Sequence, residues 1–225
     1  MRLFDVVTFD CYGTLIDWEA GIVEAFRSAS VADGITLDPA AVLRALFDTR
    51  PAAERPYQRY REILTAAAQR TGEHLGWPIT RERAAFLPES LANWPPFADT
   101  NDALRRLNRS GYELGILSNV DDDLFAETSR RLEVTFALLV TAEQVRSYKP
   151  APAHFDAARQ RIGGRRWLHA ARSYFHDIVP AVERGIPVAW INRKGEKPTE
   201  RARPNYEFQT LTELADWLAG VDDHR

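Results

Sequence analysis

Side chains that can do chemistry follow four short apolar runs of the sequence. They are carboxylates, hydroxyls, an amide, a lysine and an arginine: Asp10, Tyr12, Thr14, Ser118, Asn119, Lys149, Arg172, Ser173 and Asp177. A carboxylate can act as a nucleophile, and hydroxyl, amide and cationic groups can stabilise the charge that a reaction moves. A single Asp after a strand is more often a helix or turn cap. The coincidence of four such positions favours a reactive site for a small anion.

The apolar runs themselves indicate β-strands that alternate with helices. Strands are predicted at 6–9, 112–117, 136–140, 167–170, 188–191 and 206–208. Helices are predicted at 104–107, 124–132, 152–161, 178–184 and 211–218. Repeated β-α units favour a parallel sheet, and ligands of such sheets bind at the carboxyl ends of the strands. The fold class is therefore predicted as α/β, with a Rossmann-like parallel sheet core.

A helical segment interrupts this alternation after the first strand. Apolar residues recur at helical spacing around Ile22, Val42 and Ile63, and Pro95 and Pro96 end the segment. We predict an inserted helical cap domain at 17–95 and a catalytic core made of 1–16 and 96–225. Aromatic side chains exposed on the cap would favour a homodimer.

Composition narrows the classes of partner. The 225 residues include 29 Lys and Arg and 32 Asp and Glu, which gives a net charge of -3. No bulk positive field is thus available for nucleic acid or anionic lipid. One cysteine, Cys11, excludes an internal disulfide, and Asp5 and Asp10 break the apolar N-terminal run. We expect a soluble, cytoplasmic protein with neither a signal peptide nor a membrane span.

Four motifs resemble those of the haloacid dehalogenase superfamily. They are Asp10-Cys11-Tyr12-Gly13-Thr14-Leu15, Leu117-Ser118-Asn119, Tyr148-Lys149-Pro150, and Ala171-Arg172-Ser173 through Asp177. The resemblance implies that Asp10 forms a covalent aspartyl intermediate, which water then hydrolyses. It also implies that Thr14 and Ser118 hold the substrate and that Lys149 screens charge on Asp10. Further substrate-binding positions would be Cys11, Tyr12, Asn119, Arg172 and Ser173.

Two positions favour the 2-haloacid dehalogenase branch of that superfamily. Phosphatase members usually have a second Asp where this chain has Tyr12, because an alkoxide leaving group needs a general acid. A halide leaves without a proton, and tyrosine, with a pKa of about 10, is poorly suited to that role. Arg172 places a cation where a magnesium site needs a carboxylate. The resemblance thus implies hydrolysis of a small 2-haloalkanoic acid to the 2-hydroxy acid without a cofactor.

Other readings stay open at this point. A phosphomonoesterase of the same fold would hold Mg2+ with Asp10, the Tyr12 carbonyl and Asp177. A non-catalytic relative that binds a metabolite or a protein is the third reading. Asp177 could pair with Lys149, orient the hydrolytic water, or cap the following helix.

Two departures from the L-2-haloacid dehalogenase pattern support the non-catalytic reading. The halide-binding arginine of those enzymes corresponds to 47–48, where this chain has Phe47 and Asp48, and their tyrosine corresponds to Phe155. Candidate replacements for the arginine are Arg44, Arg50 and Arg55. Solvated surface arginines are the alternative for each of the three.

Overall fold

The chain forms two compact units in a computed structural model that describes residues 2–48, 57–198 and 202–223. The first unit comprises Met1–Ile16, Pro96–Asn119 and Arg131–Arg225, and the second comprises Asp17–Pro95 and Val120–Arg130. Backbone contacts therefore group 120–130 with the residues of the second unit. The predicted division into a catalytic core and a cap domain stays a prediction.

A six-stranded parallel sheet organises the first unit. Its strands are β1 Val6–Phe9, β2 Glu113–Ser118, β3 Leu138–Thr141, β4 Trp167–Ala171, β5 Val188–Ile191 and β6 Tyr206–Phe208. They lie in the order β3-β2-β1-β4-β5-β6. The chain adds strands on one side of β1 as far as β3 and then continues on the other side at β4. Ligands of parallel sheets bind at such a switch point, and the predicted α/β class is confirmed.

Close backbone packing sets the register at the centre of the sheet. Thr8 of β1 pairs with Gly115 of β2 on one side and with His169 of β4 on the other. A Cβ atom at residue 115 would lie 2.9 Å from the Leu138 Cβ and 3.1 Å from the Thr8 Cγ2. Glycine at 115 is therefore required for β1, β2 and β3 to approach. The four residues of β1 are all buried, as both faces of a central parallel strand must be.

Helices occupy much of the remaining chain. They are α1 Trp18–Ala32, α2 Pro39–Asp48, α3 Tyr60–His74, α4 Arg81–Ala84, α5 Phe86–Glu89, α6 Thr100–Arg109, α7 Asp122–Ser129, α8 Ala142–Val145, α9 Ala153–Ile162, α10 Val179–Glu183 and α11 Leu211–Asp223. A 3-10 helix spans Ser90–Asn93 and a π-helical turn spans Tyr174–Ile178. No helix among the described residues is long and apolar enough to cross a membrane.

The second unit has a helical core of its own. Its first helix, α1, begins after Asp17, whose side chain accepts a hydrogen bond from the Ala20 backbone N–H and so caps the helix. Phe26 of α1 packs edge-to-face on Phe86, with ring centroids 5.1 Å apart. Trp77 lies against the same two rings. These aromatic contacts explain the helical periodicity of the predicted insert, because the periodic face is the buried one.

Several predicted boundaries differ from the observed ones. The predicted strand at 136–140 begins two residues later, at Leu138, and the helix predicted at 124–132 is α7 Asp122–Ser129. The helix predicted at 178–184 is preceded by the π-helical turn, which Ser173 caps by accepting a hydrogen bond from the His176 N–H. Asp177 lies inside that turn, so the alternative in which Asp177 caps a helix is wrong.

Candidate active site

One buried ammonium group joins the two acidic residues of the predicted site. Lys149 Nζ donates to Asp10 Oδ1 at 2.9 Å, to Asp177 Oδ1 at 2.5 Å and to the Leu117 carbonyl at 2.7 Å. All three N–H donors of the ammonium are thereby used. Lys149 is 2% exposed, Asp10 7% and Asp177 1%. A buried cation between two carboxylates is an arrangement that only tertiary folding can assemble.

The same burial and charges move the pKa values of these groups in different directions. Burial raises the pKa of Asp10, and the Lys149 charge offsets this rise only in part. Burial also acts to raise the pKa of Asp177, but the Lys149 charge and the His169 hydrogen bond outweigh it and lower that pKa to about 2. The pKa of Lys149 is raised, because the two carboxylates outweigh the effect of its burial. Asp177 is therefore the more firmly ionised carboxylate, and Asp10 is the one whose charge is least stabilised.

The loop after β1 holds the second oxygen of Asp10. Thr14 Oγ1 donates to Asp10 Oδ2 at 3.1 Å and accepts from the Arg172 backbone N–H at 2.9 Å. Gly13, at φ 98°, adopts a left-handed conformation that glycine allows without strain. The carbonyl of Cys11 accepts from the N–H groups of Leu15 and Ile16, at 2.8 and 3.0 Å. The loop therefore aims Thr14 at the carboxylate of Asp10.

Cys11 and Tyr12 have different surroundings in this loop. Cys11 is fully buried, and burial followed by the Asp10 charge raises the pKa of its thiol well above the ordinary value. A thiol in that state is a poor nucleophile, because the thiolate is the reactive form. Tyr12 is half-buried and forms a β-bridge with Ile16. The substrate-binding roles expected of both residues stay predictions.

Ser118 ends β2, and Asn119, the next residue, is hydrogen-bonded to the backbone of Lys149. The Asn119 side chain accepts from the Lys149 N–H at 2.7 Å and donates to the Lys149 carbonyl at 3.1 Å. Its amide thus holds the backbone of the lysine, a use that sequence reasoning did not anticipate. The Ser118 hydroxyl is buried and has no hydrogen-bond partner within the described residues. An unpartnered buried hydroxyl is costly unless a ligand or water completes the hydrogen bond. The substrate-binding role expected of Ser118 stays a prediction.

The side chains of Arg172 and Ser173 form hydrogen bonds with other residues of the first unit. Arg172 Nη2 donates to Glu196 Oε1 at 2.9 Å, and its carbonyl accepts from the Trp190 indole at 2.9 Å. Ser173 Oγ lies 3.0 Å from His176 Nδ1. The backbone of Arg172 reaches the site through Thr14, whereas its guanidinium pairs with Glu196. The substrate-binding roles expected of Arg172 and Ser173 stay predictions.

Sequence reasoning missed three contributors to the site. His169 Nε2 lies 3.0 Å from Asp177 Oδ1, and His154 Nε2 lies 3.1 Å from the Ser118 carbonyl. Burial, aided by the Lys149 charge, lowers the pKa of His154 to about 3. Arg193 donates to the Thr14 carbonyl at 3.0 Å and, through both terminal nitrogens, to the Asp99 carboxylate. A signal existed for two of them: His169 is a polar residue inside an apolar strand, and Arg193 follows the end of β5.

Magnesium is the cofactor that the phosphatase alternative requires, and the donor set fits it poorly. Within the described ranges, no group of three His, Cys, Asp or Glu side chains is placed to hold a metal ion. Asp10 and Asp177 are both bonded to the Lys149 ammonium, which repels a divalent cation. The side chain of Arg172, the residue that takes the place of a magnesium ligand in the motif, is a cation that pairs with Glu196. The residues present thus do not form a magnesium site.

Arg44 is the candidate halide-binding arginine that lies within the described residues, and it is on the surface of the second unit. Arg44 is exposed and lies 3.8 Å from Asp38, and Phe47 packs edge-to-face on Trp18. Arg50 and Arg55 lie outside the described residues.

Phe155, in the first unit, is fully buried in the core against the His169 ring, with centroids 5.5 Å apart. It therefore packs under the sheet, and a halide-binding arginine stays unassigned among the described residues.

Comparison with known proteins agrees with the architecture and the motifs. A family model for haloacid dehalogenase-like hydrolases matches residues 4–172. The chain belongs to this hydrolase family, and the resemblance drawn from its four motifs is confirmed. An (S)-2-haloacid dehalogenase of Pseudomonas putida is 29% identical over 229 residues, covering 99% of this chain and 100% of the relative.

Solved structures reproduce the fold at lower identity. An L-2-haloacid dehalogenase of Xanthobacter autotrophicus superposes with a TM-score of 0.80 at 19% identity, over 96% of this chain and 99% of that one. A HAD-hydrolase of Bacillus subtilis bound to magnesium, YfnB, also superposes with a TM-score of 0.80, at 18% identity, over 97% and 100% of the two chains. The fold alone therefore does not distinguish metal-dependent from metal-independent chemistry, and the side chains must.

Proposed function

We propose that this hydrolase converts a small 2-haloalkanoic acid into the 2-hydroxy acid through an ester on Asp10. The observation that carries the proposal is the bonding of Asp10: one oxygen faces the Lys149 ammonium and the other faces the Thr14 hydroxyl. No second carboxylate follows at Tyr12 to protonate an alkoxide leaving group. The full-length relatives named (S)-2-haloacid dehalogenase support the same substrate class.

The first step is a substitution at carbon. A carboxylate oxygen of Asp10 attacks C2 of the substrate, the new C–O bond forms, and the halide departs with the electrons of the C–X bond. No proton is needed by the leaving group. The raised pKa of Asp10 suits this step, because a poorly stabilised carboxylate is the better nucleophile. The buried hydroxyl of Ser118 is available to bind the substrate carboxylate.

The second step is hydrolysis of the ester. Water attacks the Asp10 carbonyl carbon, and the Lys149 ammonium stabilises the oxyanion of the tetrahedral intermediate. Asp177 accepts a proton from the attacking water, and as the C–O bond between the Asp10 carbonyl carbon and the ester oxygen breaks, Asp177 returns that proton to the departing alkoxide, which leaves as the 2-hydroxy acid. The product hydroxyl then carries an oxygen that came from Asp10, while the solvent oxygen enters Asp10.

This route uses only side chains of the chain itself, so we propose that it needs no cofactor. The poor fit of the donor set to magnesium supports that proposal. We place the reaction in the cytoplasm, where a chain with one cysteine and no internal disulfide folds without difficulty.

Trapping the ester tests the proposal. The protein is incubated with excess 2-chloropropionate, quenched in acid and digested. Mass spectrometry then gives the mass of the peptide that contains Asp10. We expect an adduct on Asp10, release of chloride, and 18O from labelled water in Asp10 after one turnover. Asp10→Asn should show neither adduct nor chloride.

Two controls separate the alternatives. Haloacids also alkylate thiols, so Cys11→Ala should retain the adduct if Asp10 is the nucleophile. Chloride release should be unchanged by a chelator. Turnover of an aryl phosphate that a chelator abolishes, with no release of halide from any 2-haloacid, would overturn the proposal in favour of the phosphomonoesterase.

A further inference from the structure

A buried hydrogen-bonded chain runs through the sheet to the carboxylate of Asp177. Trp167 Nε1 donates to Thr8 Oγ1 at 2.7 Å, Thr8 Oγ1 lies 2.9 Å from His169 Nδ1, and His169 Nε2 lies 3.0 Å from Asp177 Oδ1. Thr8 and His169 are direct neighbours in the register of β1 and β4. Both are fully buried. Solvent therefore does not contact either of these two side chains.

One set of hydrogen-bond directions is consistent with all the partners in this chain of hydrogen bonds. The indole of Trp167 can only donate, so it uses one lone pair of Thr8 Oγ1, and the Thr8 hydroxyl hydrogen is available for donation to His169 Nδ1. The carboxylate of Asp177 can only accept, so His169 Nε2 must carry a hydrogen. The Nε2–H tautomer satisfies every donor and acceptor between Trp167 and Asp177 Oδ1. In this arrangement Thr8 donates to Nδ1 and so favours the form of His169 that donates to Asp177.

This chain leaves the two oxygens of Asp177 in different states. Oδ1 accepts from both Lys149 and His169, whereas Oδ2 is buried without a partner in the described part of the chain. Two donors on one oxygen fix the rotation of the carboxylate about its Cβ–Cγ bond. The Phe155 ring, edge-on to the imidazole, restricts the rotation of His169 itself. Oδ2 is thereby held as a free acceptor.

We propose that His169 is a positioning residue for the hydrolytic half of the reaction, acting by holding Asp177 with Oδ2 free to accept the proton of the attacking water. The inference rests on the proposed function, in which Asp177 receives that proton. A purely structural role would not need this residue, because Trp167 and Ala171, which lie on the same face of β4 as His169, are both buried and apolar. A buried imidazole is retained at a cost unless its hydrogen bonds are used.

Separate rates for formation and for hydrolysis of the Asp10 ester distinguish a positioning role of His169 from a packing role. His169→Leu keeps an apolar side chain in the core but removes the donor to Asp177, whereas His169→Gln can place an amide N–H near the position of Nε2. In single-turnover measurements with 2-chloropropionate, His169→Leu should form the Asp10 ester at a rate within about threefold of the wild type. Its ester should hydrolyse about 10- to 100-fold more slowly, the loss expected for a hydrogen bond to a charged group, and should accumulate in the mass spectrum.

Two further measurements complete the test: recovery of the hydrolysis rate in a conservative variant, and the tautomer of the His169 ring. His169→Gln should recover most of the hydrolysis rate, and Thr8→Val, which removes the hydroxyl that favours this tautomer, should slow hydrolysis to an intermediate value. In the wild type, 15N NMR of the histidine rings should show a protonated Nε2 and a bare Nδ1 for the signal that His169→Gln removes.

The inference is overturned if His169→Leu hydrolyses the ester at the wild-type rate, or if it slows both steps equally with no rescue by Gln. A protonated Nδ1 with a bare Nε2 would overturn it as well. If the wild type forms no ester with any 2-haloacid, the proposed function fails, and the ring tautomer then decides whether His169 holds Asp177.

Discussion

One ion cluster of the first unit and one ion pair of the second unit hold their charges in different surroundings. In the first unit, Lys149 joins Asp10 and Asp177 through side chains that are 1%, 10% and 1% exposed. In the second unit, Arg83 pairs with Asp33 at 37% and 35% exposure. Water and salt screen the second pair and scarcely reach the first. Buried charges of this kind are expensive to assemble, so their presence in the first unit indicates chemistry, whereas the second pair needs only a structural explanation.

The difference also shows in how each cluster is completed. The Lys149 ammonium has all its donors used, yet Asp177 Oδ2 and the Ser118 hydroxyl are left without partners in the described residues. Arg83 and Trp77 both donate to the Asp33 carboxylate, and Arg83 also donates to the Ala29 carbonyl. A structural cluster satisfies its own polar groups, while the buried one keeps two open for other molecules.

Removing the Lys149 cation from the buried cluster should have the largest effect on stability and activity. Lys149→Met leaves Asp10 and Asp177 buried without their shared partner, so we expect the free energy of unfolding to fall by about 3–5 kcal/mol and activity to be lost. Denaturation in urea measures the first and halide release measures the second. Arg83→Met is the matched control in the second unit. An equal loss of stability in the two variants would break the contrast between the units.

Removing the charge of Asp177 and removing the charge of Asp10 should change the stability of the protein in opposite directions. The lowered pKa of Asp177, about 2 against an ordinary 3.8, means that its ionised form stabilises the folded state, so Asp177→Asn should cost about 2 kcal/mol at neutral pH. Burial raises the pKa of Asp10, so its ionised form opposes folding, and Asp10→Asn should keep or raise the melting temperature while abolishing turnover.

Thermal melts of the two variants beside the wild type make this measurement. Asp10→Asn melting well below Asp177→Asn would show that the nucleophile, and not Asp177, is the stabilising carboxylate. Loss of turnover without loss of stability at Asp10 is the outcome expected of a residue kept for chemistry.

Acidification should stop the reaction before it unfolds the protein. Asp10 attacks only as a carboxylate, and because burial raises its pKa above the ordinary 3.8, kcat/KM should fall with decreasing pH through a midpoint above that value. The stabilisation from Asp177 is present above its unfolded pKa and is lost only as the pH falls through about 2. His154, with a pKa lowered to about 3, stays neutral over the range where activity declines.

Parallel measurements of kcat/KM and circular dichroism separate the two transitions. Coincident acid limbs of activity and folding would mean that loss of structure, not protonation of Asp10, ends the reaction.

The sequence predicted the members of the site better than their contacts. Asp10 and Ser118 could be found because strand ends in a parallel sheet are local features, visible as an apolar run followed by a polar residue. Lys149 lies beyond β3 and α8, so it was found from the motif Tyr148-Lys149-Pro150 and not from a strand end. The meeting of Lys149 with Asp177 was one of several alternatives, and the sequence could not decide between them. The choice depends on where β4 lies beside β1, which is a tertiary property.

Contacts across long sequence separations escaped prediction for the same reason. Asn119 was expected to bind substrate, but its amide is bonded to the Lys149 backbone, 30 residues away. His169 was not among the predicted site residues, because its partners Thr8 and Asp177 come from a neighbouring strand and from a π-helical turn that no pattern indicated. Boundaries of helices and strands were displaced by a few residues, since capping and packing decide them together.

The smallest effect should come from the half-exposed pair of the second unit. Arg83→Gln removes the ion pair with Asp33 but leaves the Trp77 indole, which donates to Asp33 Oδ2 at 3.1 Å, to hold that carboxylate. We expect a small decrease in melting temperature that shrinks further at high salt, because solvent already screens the charges. Steady-state kinetics with 2-chloropropionate should give wild-type kcat and KM. A salt-independent decrease as large as that of Lys149→Met would show that exposure does not separate the two kinds of charge cluster.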